Sequence, residues 1–120
     1  MIGRNKIGSV RISHPESEMT VEDVLDIISN ERRRFVIRHL EDDNPTTVRQ
    51  LAGDLSELIG DNDYKASYVS LYQTHLDQMA RKEVIEYDSN RKIVSQGRHF
   101  DATLELLNEI EQWFDADSEL

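Results

Sequence analysis

The segment TTVRQLAGDLSELIGDNDYKASYVSLYQTHLDQMARKEVIEYDSNRKIVS, residues 46–95, decides how this chain folds. It opens on Thr47-Val48-Arg49-Gln50, a spacing that puts threonine at a helix N-cap and glutamine at the third helical position. Val48, Leu51, Ala52, Leu55 and either Leu58 or Ile59 then recur at three- and four-residue intervals, and Gly60 stands where a left-handed residue ends a helix. After the polar run Asp61-Asn62-Asp63, a longer helix is expected from about Ala66 to Lys82, with Val69, Tyr72, Leu76, Met79 and Ala80 on its apolar face. That setting turns Ser67, Ser70, Leu71, Thr74, Gln78 and Arg81 outward, with Gln73 on a flank. Val84-Ile85-Glu86-Tyr87 and Lys92-Ile93-Val94-Ser95 are β-prone runs joined by the turn residues Asp88-Ser89-Asn90-Arg91, the pattern of a hairpin.

Working upstream, Thr20 suits an N-cap, and Val21, Val24, Leu25 and Ile28 share one face of a helix over 20–29. Ser29 and Asn30 end it and cap a second helix to about Glu41. There Val36, Ile37 and Leu40 face inward while Arg32, Arg33, Arg34 and Arg38 reach for solvent. Residues 1–18 read as an arm with a short strand near Ile7–Ile12. Downstream, Leu106, Leu107, Ile110, Trp113 and Phe114 make the last helix strongly amphipathic. The chain thus divides into an arm (1–18), a mainly α domain with a small β-hairpin (19–98) and an acidic amphipathic helix (99–120).

A chain of 120 residues with 38% hydrophobic content encloses one core. No apolar run approaches the ~18 residues of a membrane span, and the N-terminus has no stretch like a signal peptide, so a cytoplasmic location is expected. The absence of cysteine excludes disulfides, thiolate zinc sites and thiol chemistry. His14, His39, His75 and His99 are too scattered to form a local ligand pair, and no phosphate loop, nucleophile motif or HExxH is present. No cofactor, metal site or catalysis is expected.

The net charge of −10 argues against nucleic acid until it is mapped. Residues 65–98 hold six basic residues against four acids, a net +2, and the remainder carries −12. Residues 99–120 alone contribute −7. Only four of the fourteen basic residues are lysine, a composition suited to a saline cytoplasm.

The order of elements, two helices, a capped helix, a longer helix and an immediate hairpin, is that of a winged helix-turn-helix domain. The stretch Asn30–Leu40 resembles the second-helix pattern of ArsR-type regulators, and His75–Ile85 resembles their recognition-helix exit, usually written HLKxLxxAGLV. Ile28–Arg34, Leu71–Leu76 and Val84–Asp88 are similar to the "LSNERRR", "LYHTHL" and "VVDYD" segments of a haloarchaeal winged-helix family. The likeness covers roughly residues 20–95. Lys82-Glu83 departs from it by replacing the usual Ala-Gly, so a different helix exit is expected.

The resemblance implies a sequence-specific transcriptional regulator that binds double-stranded DNA. The residues expected at the DNA are Lys65, Ser67, Ser70, Gln73, Thr74 and Arg81 on or beside the recognition helix, and Arg91 and Lys92 at the wing tip. Leu106, Leu107, Ile110, Trp113 and Phe114 are expected to form a homodimer interface, which would pair two recognition helices on one site. The alternative is a winged-helix protein-interaction module that never touches DNA.

Overall fold

The computed structural model describes residues 19–60 and 63–118. The expected arm, the strand expected within it and His14 lie outside them. Helix α1 (Val21–Ile28) starts on a reciprocal cap: Thr20 Oγ1 accepts from Asp23 N–H, and Asp23 accepts from Thr20 N–H. Helix α2 (Glu31–Asp42) follows at once because Asn30 Oδ1 accepts from both Arg32 and Arg33 N–H. Strand β1 (Thr46–Thr47) leads directly into α3 (Val48–Ile59), where Thr47 Oγ1 accepts from Gln50 N–H. The Gln50 side chain turns to Asp54 rather than back to the cap. Gly60 ends α3 at φ 76, the left-handed conformation that glycine adopts without strain.

A helical rod follows, composed of α4 (Tyr64–Ser70), a π turn (Leu71–His75) and α5 (Leu76–Arg81). The hairpin of β2 (Ile85–Asp88) and β3 (Ile93–Gln96) and the long α6 (Phe100–Ser118) complete the fold. The protein is therefore mainly α with a small antiparallel sheet and a C-terminal helix, an arrangement compatible with a winged helix-turn-helix. The sheet has three strands in the order β1-β3-β2, with Thr46 opposite Val94 and Tyr87 also opposite Val94 across the other edge. Two residues are too few to show the alternation that marks a strand, so β1 escapes a sequence reading.

The core gathers Val36, Ile37 and Leu40 of α2, Leu51 and Leu55 of α3, Leu76 and Met79 of α5, Val94 of β3 and Leu107 of α6. Each such side chain contributes roughly 1.5–3 kcal/mol by leaving water. Among the described residues no helix is long and apolar enough to cross a membrane.

Three expectations need correction here. Arg33 does not reach for solvent: it is buried, and its guanidinium donates to the carbonyls of Ile27 (3.0 Å) and Asp26 (2.7 Å) at the end of α1. Arg34 likewise donates to Ile28 O, and Arg38 bridges Glu41 of its own helix to Asn108 and Glu111 of α6. These groups satisfy helix-end carbonyls and a neighbouring helix that the sequence does not reveal as adjacent.

The different helix exit expected from Lys82-Glu83 is not found either. Glu83 adopts φ 60, its N–H bonds Ala80 O, and Val84 N–H bonds Met79 O, so a Schellman closure forms with glutamate in glycine's place.

Finally, α6 is not a free interface stripe. Phe100, Thr103 and Leu107 are buried within the chain, and Leu104 and Ile110 pack on the same core. Trp113 and Phe114, at 72% and 68% exposed, are left outside.

Candidate nucleic-acid interface

The α4–α5 rod carries most of the expected contact residues, and its π turn decides which of them are available. Leu76 N–H bonds Leu71 O, five residues back, so one extra residue is threaded into the rod. A regular helix that buries Leu76, Met79 and Ala80 would bury Val69 and Tyr72. The extra residue rotates the first half of the rod by about one position. Leu71 and Ser67 therefore turn inward and are buried, and Val69 and Tyr72 turn outward. This reverses the expected orientation of all four. Below the turn the regular wheel holds: Leu76 and Met79 are buried, and Asp77, Gln78 and Arg81 are exposed.

Of the residues expected at DNA, Lys65, Gln73 and Thr74 are exposed and Ser70 is half-buried. Ser67 is inside, with an Oγ that has no partner among the described residues, so it cannot reach a base edge. Arg81 is exposed, but its guanidinium is held at 2.6 Å by Asp77 one turn back. At the hairpin tip, Asp88 accepts from Asn90 and Arg91 N–H, and Lys92 takes φ 59 to close the turn. Arg91 extends into solvent with Asp88 4.0 Å away. Lys92 is half-buried: its Nζ donates to Ser89 O at 2.6 Å and lies 4.6 Å above the Tyr72 ring.

The sequence reading missed an aromatic row. Tyr64 and Tyr68 of α4 and Tyr72 of the π turn run down one edge of the rod with ring centroids 6.0 and 6.3 Å apart, and Tyr87 of β2 meets Tyr72 edge-on at 6.4 Å. Their four-residue spacing is a legible signal in the sequence, one face of a helix. Burial, and then the neighbouring phenols of Tyr72 and Tyr68, push the Tyr87 hydroxyl up to about 12, so it stays protonated. Beside this row an open cleft of about 340 Å³ is walled by Thr47, Arg49, Tyr64, Tyr68, Arg91 and Lys92. Arg49, also missed, has no carboxylate partner among the described residues.

The rod is braced from behind. Arg33 Nη1 donates to Gln78 Oε1 at 2.9 Å and lies 3.3 Å from His75 Nδ1, while other nitrogens of the same guanidinium hold the end of α1. Burial first, then the charges of Arg33 and Arg32, hold His75 below its ordinary range, so a neutral ring accepts from Arg33. The buried Arg33–His75 pair thus fixes the rod's rotation about its axis. Among the described residues no three histidine or carboxylate groups gather to hold a metal ion.

A protein-family model described as a domain of unknown function (DUF7344) matches residues 25–95, from within α1 to the second strand of the hairpin. No curated protein and no solved structure matches the chain.

Proposed function

The chain belongs to the DUF7344 family, whose match spans the helices and hairpin just described, and we propose that this unit binds double-stranded DNA as a cytoplasmic transcriptional regulator of the ArsR-like winged-helix kind. The observation that carries the reading is the segregation of charge. In a chain of net −10, Arg49, Arg91 and Lys92 converge on one cleft, and the rod carries an exposed row of Lys65, Gln73 and Thr74, with Ser70 half-buried. Phosphate contacts from the cations would seat the α4–α5 rod, and the short polar side chains would meet base edges. No arginine on the exposed row is free for a bidentate guanine contact, so readout by one rod is modest.

A homodimer answers that weakness by doubling the contacts. The apolar groove between α1 and α6 is lined by Leu25, Ile28, Leu107, Ile110 and the protruding Phe114, and the neighbouring Trp113 is also exposed. One surface therefore offers both a hollow and aromatic knobs, the self-complementarity that a two-fold interface needs. Arg34 and Glu111 at its rim supply opposite charges. The acidic α6 would then stand away from the phosphates.

Sequencing DNA cross-linked to the protein in its native cell should recover discrete promoters, and the duplex so found then tests the residues by fluorescence anisotropy. Ser70→Ala with Thr74→Ala should weaken that duplex more than random DNA, and Arg91→Ala should weaken both about equally. If all variants bind every duplex as the parent does, DNA reading is rejected and the protein-interaction module takes its place.

A further inference from the structure

The cleft beside the tyrosine row has a chemistry that duplex binding does not use. We propose that it binds an aromatic ring carrying a phosphate, of the size of one nucleotide.

Three cations enter the cleft from two elements, Arg49 from the first turn of α3 and Arg91 and Lys92 from the hairpin turn. Arg91 has its nearest carboxylate at 4.0 Å, and Arg49 has none among the described residues. Lys92 is held in place by Ser89 O and the Tyr72 ring. Like charges brought together in this way repel one another until an anion joins them, and arginines present the forked donors that match phosphate oxygens.

The opposite wall is aromatic. Tyr64 is 41% exposed and packs on Tyr68 at 6.0 Å, offering a flat apolar surface on which a planar ring can stack. A bare inorganic anion would leave those rings unused, and an uncharged aromatic would leave the cations unpaired. The volume of about 340 Å³ suits a ligand of one ring system with its phosphate. Bases within a duplex are stacked on each other and cannot reach the rings, so the ligand is a free nucleotide or an unpaired one in a strand. Arg49, Arg91 and Lys92 are shared with the proposed phosphate contacts, so an occupied cleft would compete with DNA for them.

Calorimetric titration of the full chain with 5′-AMP, adenosine, ribose 5-phosphate and an unstructured eight-nucleotide DNA tests this. AMP should bind at least about tenfold more tightly than adenosine or ribose 5-phosphate. Tyr64→Leu, at an exposed position, should weaken AMP by about tenfold and leave ribose 5-phosphate unchanged, because it removes stacking alone. Arg49→Ala should weaken both. An oligonucleotide bound more than about tenfold better than AMP assigns the site to an unpaired strand, and equal or weaker binding assigns it to the free nucleotide. Absence of binding by both AMP and the oligonucleotide, or a Tyr64→Leu variant that titrates like the parent, overturns the proposal. Gln73→Ala separates it from the duplex reading, since it should weaken the duplex and leave AMP untouched. Nucleotide binding lost while duplex binding persists rejects this site alone, and the converse rejects the duplex reading alone.

Discussion

Glu83 holds the left-handed turn between the helical rod and the hairpin at φ 60, where a Cβ clashes with the following carbonyl and costs roughly 1–2 kcal/mol. The position is constrained from both sides. A Cβ on Gly97 would lie 2.4 Å from the Glu83 carbonyl oxygen, so the hairpin exit can approach only as glycine. What glutamate offers in return is an exposed ion pair to Arg98 at 2.9 Å, worth a few tenths of a kcal/mol. Glu83→Gly should therefore raise the unfolding free energy by about 1 kcal/mol. Glu83→Ala keeps the strain and loses the pair, so it should be no more stable than the parent. Urea midpoints of the two variants decide this, and a glycine midpoint below the parent's would mean that the turn is not strained. The motif likeness locates this position correctly, but φ depends on the backbone route rather than on residue type.

At the scale of elements, two helices acquire their roles from what packs behind them. The rod is braced through His75, whose ring is kept neutral by burial and by Arg33. A histidine whose folded pKa lies below its unfolded value of 6.5 is protonated first in the unfolded chain. Its stabilising effect is thus complete above about pH 6.5 and is lost as pH falls toward the folded pKa. The parent should lose stability on acidification below 6.5, and His75→Gln, which keeps an acceptor without a titrating ring, should flatten that slope in parallel urea titrations at several pH values.

For α6, the two halves should separate. Leu107→Ala opens a cavity in the chain's own core and should cost about 2–5 kcal/mol. Trp113→Ser with Phe114→Ser touches only exposed rings, so it should leave the fold intact while light scattering reports a monomer. A parent already monomeric, or a double variant still dimeric, removes that surface from the dimer. Ile110, which the amphipathic stripe nominates equally well, is a poor probe because it packs on the core.

For the whole molecule, the relevant quantity is a local excess of cations in a chain of net −10. A conventional DNA-binding protein loses about a thousandfold or more in affinity as moderate salt replaces low salt, because counterion release weakens. Here the acidic remainder also repels DNA, and salt screens that repulsion within a few ångströms at molar concentration. Duplex affinity measured from about 0.2 to 2 M KCl should therefore fall little or pass through a maximum. A steep monotonic loss would show that the acidic surface has no part in binding.

The sequence by itself determined the helices, their caps at Thr20, Asn30 and Thr47, the glycine stop at residue 60, the hairpin and the mainly α class. These depend on hydrophobic period and on hydrogen bonds between neighbours in the chain, which local spacing encodes. Tertiary structure decided which face of the rod is outward, because a single π turn rotates every residue before it and nothing in Leu71-Tyr72-Gln73-Thr74-His75 demands one. It also decided that Arg33 is a buried brace, that Leu107 belongs to the core, and that Arg49 meets Arg91 and Lys92 across a cleft. Arg33's reach to His75 and Gln78, the burial of Leu107 and the meeting of Arg49 with Arg91 depend on residues some forty or more positions apart, and an amphipathic pattern records that a face is buried without recording what buries it.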